Sequence, residues 1–268
     1  MIGIGVVTCN RGNMLHKLLK SIKSCNWAEF IIVNDGDDRL EIDGYNYYIH
    51  NNEKNLGVCK SKNIAMKHLL DKGCDYVFII EDDMLILDDD IFDKYIQTYK
   101  ETGIHHLMFG YHGPANKNGV SGGAPHPRKI IDYGNVQVAL NLHCVGAFCF
   151  YTRKSLEDVG LLDEEFDKNN FEHVEHSYRL AKAGYSTPYW WWADLANSLD
   201  YIEEQACSEV SSSIRRGDEW HDKIRWSAKL FEKKHGYMPA WDNAVPDTPL
   251  SEIISILKKY EKDKSTRS

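Results

Sequence analysis

Three consecutive carboxylates, Glu81-Asp82-Asp83, follow an apolar segment at Asp75–Ile80 that has the length and composition of a buried strand. Carboxylate oxygens are preferred ligands of Mg²⁺ and Mn²⁺, and such ions keep few protein ligands while they bridge substrate phosphates. We therefore predict a divalent-metal site at 81–83. The alternative is a solvated acidic turn that caps the next helix. That role suits Asp88-Asp89-Asp90 better, because acidic side chains favour a helix N-terminus.

A second group of titratable residues, Glu172, His173, Glu175 and His176, lies at the predicted start of a helix. A spacing of three places the two glutamates on one helix face and the two histidines on another. Such a group could supply a general base. The pattern is not the HExxH of zinc proteases, and the alternative interpretation is ordinary surface charge on a helix.

Asn34-Asp35-Gly36 lies where the second predicted strand ends. A carboxylate there can accept hydrogen bonds from a nucleotide base or ribose, and the glycine permits a sharp turn; a plain turn is the alternative. The first strand is followed by Thr8-Cys9-Asn10-Arg11-Gly12-Asn13, which lacks both the GxGxxG and the GxxxxGK[ST] patterns. A dinucleotide-binding fold of that type and a P-loop NTPase are therefore disfavoured.

Apolar periodicity predicts strands and helices that alternate along the first half of the chain. Such alternation indicates an α/β class with a mostly parallel sheet flanked by helices, whose ligands bind beyond the carboxyl ends of the strands. The predicted strands are Ile2–Thr8, Phe30–Val33, Tyr45–Ile49, Asp75–Ile80 and Ile104–Gly110, with two more inside Val136–Tyr151. The predicted helices are Met14–Ile22, Val58–Lys72, Asp89–Tyr99, Val174–Ala183, Asp218–Lys234 and Ser251–Tyr260.

Two further segments have a composition that permits a role in binding. Tyr111–Arg128 is rich in glycine, proline and asparagine, and we predict a long loop that covers a ligand rather than a linker. Trp190-Trp191-Trp192 could stack on a sugar ring. Large aromatic side chains are more common in a protein core, and we favour that interpretation.

Composition narrows the class of protein. The 268 residues carry a net charge of −8, so no extended nucleic-acid surface is expected. The seven cysteines form no CxxC pair, which fits neither a disulfide framework nor a structural zinc site. No apolar run has the length of a transmembrane segment, and the N-terminus lacks the basic region of a signal peptide. We expect a cytoplasmic location.

In their order along the chain, these segments resemble the nucleotide-sugar glycosyltransferases of the GT-A fold, in the large family-2-like group. The resemblance covers about Met1 to Gly184. Val6–Arg11 is similar to the first strand and loop of that group, Ile32–Asp37 to its V-D-D-G-S segment, and Asn55–Gly57 with Lys60–Asn63 to its N-x-G…a-R-N segment. Glu81–Asp83 occupies the D-x-D position, Gly146–Phe148 with Gly160–Phe166 resembles G-x-F-D-E-x-F, and Phe171–His173 with Arg179 and Gly184-Tyr185 resembles E-D…R…G-Y.

The resemblance implies a metal-dependent transfer of a sugar from a nucleoside diphosphate sugar, a UDP-sugar, to a saccharide or other hydroxyl acceptor. It implies a donor-binding half at 1–110, an acceptor-side and catalytic half at 111–215 of the same domain, and a C-terminal helical extension at 216–268. Asp83 would hold Mn²⁺ or Mg²⁺, with Glu81 assisting directly or through water. Asp35 would contact the nucleotide base, and Asp82 the ribose or a metal-bound water. The other implied donor-binding residues are Thr8, Asn10, Arg11 and Asn63.

The chain departs from the family pattern at the catalytic base. The second residue of the E-D pair is the usual base, and here that position is His173, so the candidates are Glu172, His173 and Glu175. We expect a non-processive enzyme, because the Q-x-x-R-W signature of processive synthases is missing. We also expect inversion, and the atypical base position leaves retention as the alternative. The alternatives are a catalytically impaired sugar- or nucleotide-binding module of the same fold, and a nucleotidyltransferase. The latter would have a glycine-rich basic loop after the first strand, where only Arg11 is available.

Overall fold

The computed structural model describes residues 1–22, 28–42, 47–113, 116–117, 125, 129–166, 171–187, 191–205 and 218–236, with side chains of the last segment from 221 onward. The strands are β1 (Ile2–Thr8), β2 (Ala28–Asn34), β3 (Tyr48–Asn51), β4 (Tyr76–Glu81), β5 (Met84–Ile86), β6 (His106–Met108), β7 (Lys129–Asp132), β8 (Gln137–Asn141), β9 (Phe148–Thr152), β10 (Trp192–Leu195) and β11 (Ile202–Glu204). The helices are α1 (Gly12–Ser21), α2 (Val58–Asp71), α3 (Asp90–Thr102), α4 (Arg153–Val159), α5 (Glu172–Lys182) and α6 (Asp218–His235), with short 3-10 turns at Glu164–Phe166 and Ser198–Asp200.

The central sheet has six strands in the order β3-β2-β1-β4-β9-β6. The first four are parallel, and β9 runs antiparallel to both of its neighbours. This confirms the predicted mostly parallel sheet flanked by helices. Thr8 pairs with Asn34, and Val7 pairs with Glu81, so the carboxyl ends of β1, β2 and β4 meet at one edge.

Alternating side chains of β4 divide the core between the two faces of the sheet. Phe78 and Ile80 pack with α1 on one face, and Val77 and Ile79 pack with α2 on the other. On the α2 face β1 has a glycine at Gly5, where a Cβ atom would lie 2.8 Å from the Cβ of Ala65. The helix can therefore pack directly on the strand backbone.

Two small antiparallel sheets complete the described structure, in the orders β10-β8-β7 and β11-β5. The strand β5 was not predicted, because a strand of three residues is too short to show a periodic pattern. Its partner β11 leads into Gln205, whose backbone N–H donates to the Asp83 carbonyl at 2.7 Å. The Gln205 side chain also donates to the carbonyl oxygens of Asp82 (2.9 Å) and Met84 (3.2 Å). These bonds fix the backbone of the acidic segment.

Several predictions can be compared with the described residues directly. Trp191 and Trp192 are buried, which confirms the core interpretation for these two side chains. The third strand begins at Tyr48 rather than Tyr45, and Asp88 accepts a hydrogen bond from the N–H of Asp90 at the start of α3. Most of Tyr111–Arg128, Trp190 and the helix predicted at Ser251–Tyr260 lie outside the described residues. No helix in the described ranges is long and apolar enough to span a membrane.

Candidate active site

The edge where the parallel strands end brings together three segments predicted to bind ligand. Thr8 donates from its hydroxyl to Asp82 Oδ2 at 2.6 Å, and the N–H of Asp35 donates to the Thr8 carbonyl at 2.8 Å. The end of β1 is therefore bonded to the segments that follow β2 and β4. This arrangement agrees with the general position of ligand sites in α/β sheets.

Asp35 is buried, and its carboxylate accepts three hydrogen bonds. They come from Asn52 Nδ2 at 2.7 Å, the N–H of Leu56 at 2.7 Å and the N–H of Gly57 at 2.9 Å. The residue lies at the predicted edge, and in this structure it organises the turn that leads into α2. Gly57 has φ +90°, a conformation that favours glycine.

Asn10 shapes the loop between β1 and α1. Its backbone is left-handed, with φ 55°, and its side-chain amide exchanges two hydrogen bonds of 2.9 Å with Asp37. A Cβ atom at Gly36 would lie 2.5 Å from Asn10 Oδ1, so only glycine fits between them. The loop that carries Arg11 is thereby held to the segment after β2.

Arg11 lies between the two aspartates of the acidic segment. Its guanidinium forms ion pairs with Asp82 and, at 2.8 Å, with Asp83 Oδ2. His112 Nε2 lies 3.2 Å from the same Asp83 oxygen. The other oxygen, Asp83 Oδ1, is buried and has no hydrogen-bond partner among the described residues. One carboxylate oxygen of this cluster is therefore open to a ligand.

Burial and charge act differently on the two aspartates. Burial raises the pKa of Asp82 to about 7, although Arg11 and the Thr8 hydroxyl favour the ionised form. Burial would also raise the pKa of Asp83, but the His112 hydrogen bond and the charges of His112 and Arg11 outweigh it and hold that pKa well below its usual range. For His112 burial lowers the pKa and Asp83 raises it, with a net increase. Asp83 is therefore the more strongly ionised of the two carboxyl groups.

Glu81 has a different partner from its two neighbours. Its Oε1 atom lies 2.7 Å from Nζ of Lys62, a buried side chain of α2. Successive side chains of a strand point to opposite faces, so Glu81 continues the α2 face of β4 and Asp82 the α1 face. Glu81 and Asp83 therefore have separate partners in this structure, and their service to one metal ion stays a prediction. Among the described residues, no group of three or more His, Cys, Asp or Glu side chains is arranged to hold a metal ion.

Lys62 also reaches Glu172, the first residue of α5. Its Nζ lies 3.4 Å from Glu172 Oε1 and donates to the Gly146 carbonyl at 3.0 Å. His173 Nδ1 lies 3.2 Å from the same glutamate oxygen, whereas Glu172 Oε2 is buried and has no hydrogen-bond partner in the described part of the chain. Burial would raise the pKa of Glu172, but His173 and Lys62 hold it well below its usual range. The result is an ionised, oriented carboxylate with one oxygen open.

Glu175 and Asn63 make contacts that hold neighbouring elements together. Arg179 Nε lies 2.8 and 3.0 Å from the two oxygens of Glu175, and His235 of α6 lies 3.2 Å from one of them. Asn63 donates to the Leu162 carbonyl at 2.9 Å and accepts from its N–H at 3.0 Å. The carboxylate of Glu175 therefore faces Arg179 and α6, and its role as a candidate base stays a prediction.

The sequence analysis did not single out His112 or Glu204. The Gly113 N–H donates to Glu204 Oε1 at 2.8 Å, and Lys117 Nζ lies 2.8 Å from Glu204 Oε2. These contacts fix the start of the loop that carries His112 beside Asp83. The glycine-rich composition of Tyr111–Arg128 predicted a functional segment there, but no local pattern marked the histidine.

Comparison with known proteins agrees with this geometry. The model of glycosyl transferase family 2 matches residues 4–160, more than half of the chain, and the chain belongs to this family. A glycosyltransferase of Acanthamoeba polyphaga mimivirus, described as uncharacterized, is 29% identical over 232 residues, covering 80% of this chain and 84% of the viral protein. The protein is a nucleotide-sugar glycosyltransferase, which removes the nucleotidyltransferase alternative.

Solved structures show the same fold. Residues 1–349 of S. aureus TarS superpose with a TM-score of 0.57 at 15% identity, covering 97% of this chain and 70% of that one. GalNAc-T7, crystallised with UDP, GalNAc and Mn²⁺, gives a TM-score of 0.56 at 10% identity, covering 97% and 54%. The catalytic domain of Drosophila β1,4-galactosyltransferase 7 with xylobiose gives 0.50 at 13% identity, covering 84% and 79%. The fold is GT-A.

Proposed function

We propose that this glycosyltransferase transfers a sugar from a UDP-sugar to a hydroxyl group of a saccharide or other acceptor, with inversion at the anomeric carbon and with Glu172 as the general base. One observation supports Glu172 as the general base. Its Oε2 atom has no hydrogen-bond partner among the described residues, whereas Lys62 and His173 contact its Oε1 atom. A fixed carboxylate with one oxygen open is suited to accept a proton.

The chemical step needs only this carboxylate and an anion-stabilising donor site. The acceptor oxygen forms a bond to the anomeric carbon, the bond from that carbon to the diphosphate oxygen breaks, and the hydroxyl proton passes to Glu172 Oε2. Glu172 is ionised at neutral pH, so it is ready to accept the proton. Glu175 is occupied by Arg179, and His173 supports Glu172 through its Nδ1 atom.

The edge at Thr8, Asp35 and Asp82 is the proposed donor site. Negative charge develops on the leaving diphosphate, and the Arg11 guanidinium can stabilise it from the loop before α1. Asn10 supports this loop. Asp35 is the residue proposed to contact the nucleotide base of the donor, and Asp82 is proposed to contact its ribose. Asn63 is bonded to Leu162, and its place in the donor site stays a prediction.

The donor set at Asp83 fits a divalent cation. Its Oδ1 atom is buried without a hydrogen-bond partner among the described residues, and the imidazole of His112 lies beside Oδ2. Asp83 and His112 would hold Mn²⁺ or Mg²⁺, with Glu81 contributing through water at most. When bound, the ion supplies positive charge for the leaving diphosphate. The Mn²⁺ and UDP bound to GalNAc-T7 support this proposal. We keep the cytoplasm as the proposed location of the reaction.

A donor screen tests the proposal. UDP-, GDP-, CDP- and dTDP-sugars are added with and without Mn²⁺ while thermal unfolding is followed, because a ligand that binds only the native state raises its stability. We expect the largest rise with a UDP-sugar plus Mn²⁺, and release of UDP from that donor when a saccharide acceptor is added. Stabilisation by another nucleotide would contradict the donor assignment. Binding without any hydrolysis or transfer would favour the impaired module.

A further inference from the structure

Arg11 supplies a positive charge beside the acidic segment that follows β4. Its guanidinium contacts Asp82 and Asp83 together, and its planar, rigid arrangement of N–H donors suits paired contacts with carboxylates and phosphates. Both carboxylates are buried, whereas the arginine side chain retains 15% of its exposure. The arginine side chain is therefore more exposed than either of the carboxylates that it contacts.

A divalent ion and this guanidinium compete for the same place. Asp82 and Asp83 carry two negative charges when ionised, and Arg11 neutralises one of them. A divalent cation bound to Asp83 would lie beside the guanidinium, and like charges at such short range in a buried site repel strongly. Asp83 Oδ1 gives the ion a first ligand without disturbing Arg11, but Oδ2 is shared with it.

Neighbouring contacts fix the backbone around Arg11. The two bonds between Asn10 and Asp37 hold the loop, and Arg11 precedes the first turn of α1. That turn contains no acidic side chain and no side-chain cap, so the positive end of the helix dipole is available to an anion. A diphosphate bound there would lie within the range of the arginine.

We propose that Arg11 is an exchangeable counter-ion, which neutralises Asp82 and Asp83 in the donor-free enzyme, releases Asp83 to a divalent cation, and then contacts the donor diphosphate. The proposal rests on the proposed function only for the identity of the donor. It predicts that Arg11 weakens metal binding in the absence of nucleotide and strengthens nucleotide binding. Metal and nucleotide therefore bind cooperatively, and each raises the affinity for the other by the same factor.

The test is calorimetric titration of Mn²⁺ alone, of UDP alone, and of Mn²⁺ in the presence of UDP into the wild type and Arg11→Gln. We expect Arg11→Gln to bind Mn²⁺ alone about tenfold more tightly and UDP alone about tenfold more weakly, a change within the usual range of coupling between sites. The factor by which UDP raises Mn²⁺ affinity should fall correspondingly. Lys20→Gln removes one charge from an exposed position of α1, the helix that follows Arg11, and is the matched control. Both affinities are expected to stay within about twofold of the wild type.

Arg11→Lys keeps the positive charge but lacks the planar guanidinium. It replaces Arg11→Gln as the test variant if Arg11→Gln does not fold. We expect its Mn²⁺ affinity to lie between those of the wild type and Arg11→Gln. Unchanged or weaker Mn²⁺ binding in the folded variant would overturn the proposal, even if the enzyme transfers sugar normally. The predicted shifts in an enzyme that never transfers sugar would support the role of Arg11 and overturn the proposed function.

Discussion

Two clusters of buried charge flank the end of β4, one on each face of the sheet, and they differ in the kind of cation each contains. On the α1 face Arg11 bridges two aspartates that are adjacent in sequence. On the α2 face Lys62 bridges Glu81 and Glu172, which come from β4 and α5. We call them the arginine cluster and the lysine cluster.

The difference indicates a division of roles. Lys62 is enclosed by two carboxylates and the Gly146 carbonyl and is almost inaccessible, so its charge is committed to holding elements together. Arg11 keeps contact with solvent and has the geometry that binds phosphates in pairs of hydrogen bonds. We therefore propose that the lysine cluster orients the general base and that the arginine cluster serves the donor.

The largest effect is expected at Glu172, whose loss would remove the base from the lysine cluster. Glu172→Gln should lower turnover by about 10²-fold to 10⁴-fold, the usual contribution of a positioned proton acceptor, with little change in UDP affinity. Steady-state kinetics and calorimetry measure the two quantities. Glu157→Gln, at an exposed position of α4, is the control. If Glu172→Gln turns over at a near-normal rate and His173→Ala loses activity instead, the imidazole of His173 is the general base.

Lys62→Met separates orientation from catalysis within the same cluster. It leaves Glu81 and Glu172 without their cation, and breaking a buried ion pair in this way costs about 3 to 5 kcal/mol of unfolding free energy. The pKa of Glu172 should rise, so the acid limb of the rate profile moves to higher pH. Urea denaturation and a pH series of kcat measure both effects. Lys67→Met, at an exposed position of α2, should change neither, and Lys62→Arg should restore part of the activity. An unshifted profile would argue that Lys62 supports only the fold.

Asp82, within the arginine cluster, should give the protein a pH dependence of the opposite sign from that of Glu172. The pKa of Asp82 is raised to about 7 in the folded state, so its contribution to stability is full below its unfolded pKa of about 4 and is lost as pH rises through about 7. At 1.36 kcal/mol per unit this amounts to about 4 kcal/mol. The difference in unfolding free energy between the wild type and Asp82→Asn, measured from pH 5 to 8, isolates this term from the buried histidines. A constant difference would contradict the raised pKa.

The smallest effect on the fold is expected for Asp83→Asn, which changes the arginine cluster at its open oxygen. Metal-dependent UDP binding should weaken by at least about tenfold, because a neutral amide is a poor ligand for Mn²⁺. The midpoint of thermal unfolding should fall by less than in Lys62→Met, because the amide has the same shape as the carboxylate and Arg11 keeps Asp82 as its partner. Asp93→Asn, at an exposed position of α3, controls for the loss of one charge. Unchanged UDP affinity with Mn²⁺ would remove the metal assignment at Asp83.

The sequence determined the fold class and the position of the arginine cluster. Glu81, Asp82 and Asp83 follow four apolar residues that alternate between the faces of a parallel sheet, so their place at its carboxyl edge follows from local periodicity and the general rule for α/β sheets. The ends of β1 and β2 follow in the same way, which brings Thr8 and Asp35 to that edge. The division into 1–110, 111–215 and 216–268 stays a prediction, although β6 and β9 from its first two parts pair in one sheet.

Only the tertiary structure decided which cation each carboxylate contacts. Lys62 and Glu172 are 110 residues apart, and their contact depends on how α2 and α5 pack against the sheet, which no local spacing records. The same holds for His112 beside Asp83, which depends on the bonds of Glu204 and Gln205 to distant backbone. Adjacent residues such as Glu81 and Asp82 were expected to act together, but the alternation of a strand sends them to opposite faces. The sequence determines which charged side chains become buried. The packing of the elements determines which partner neutralises each of them.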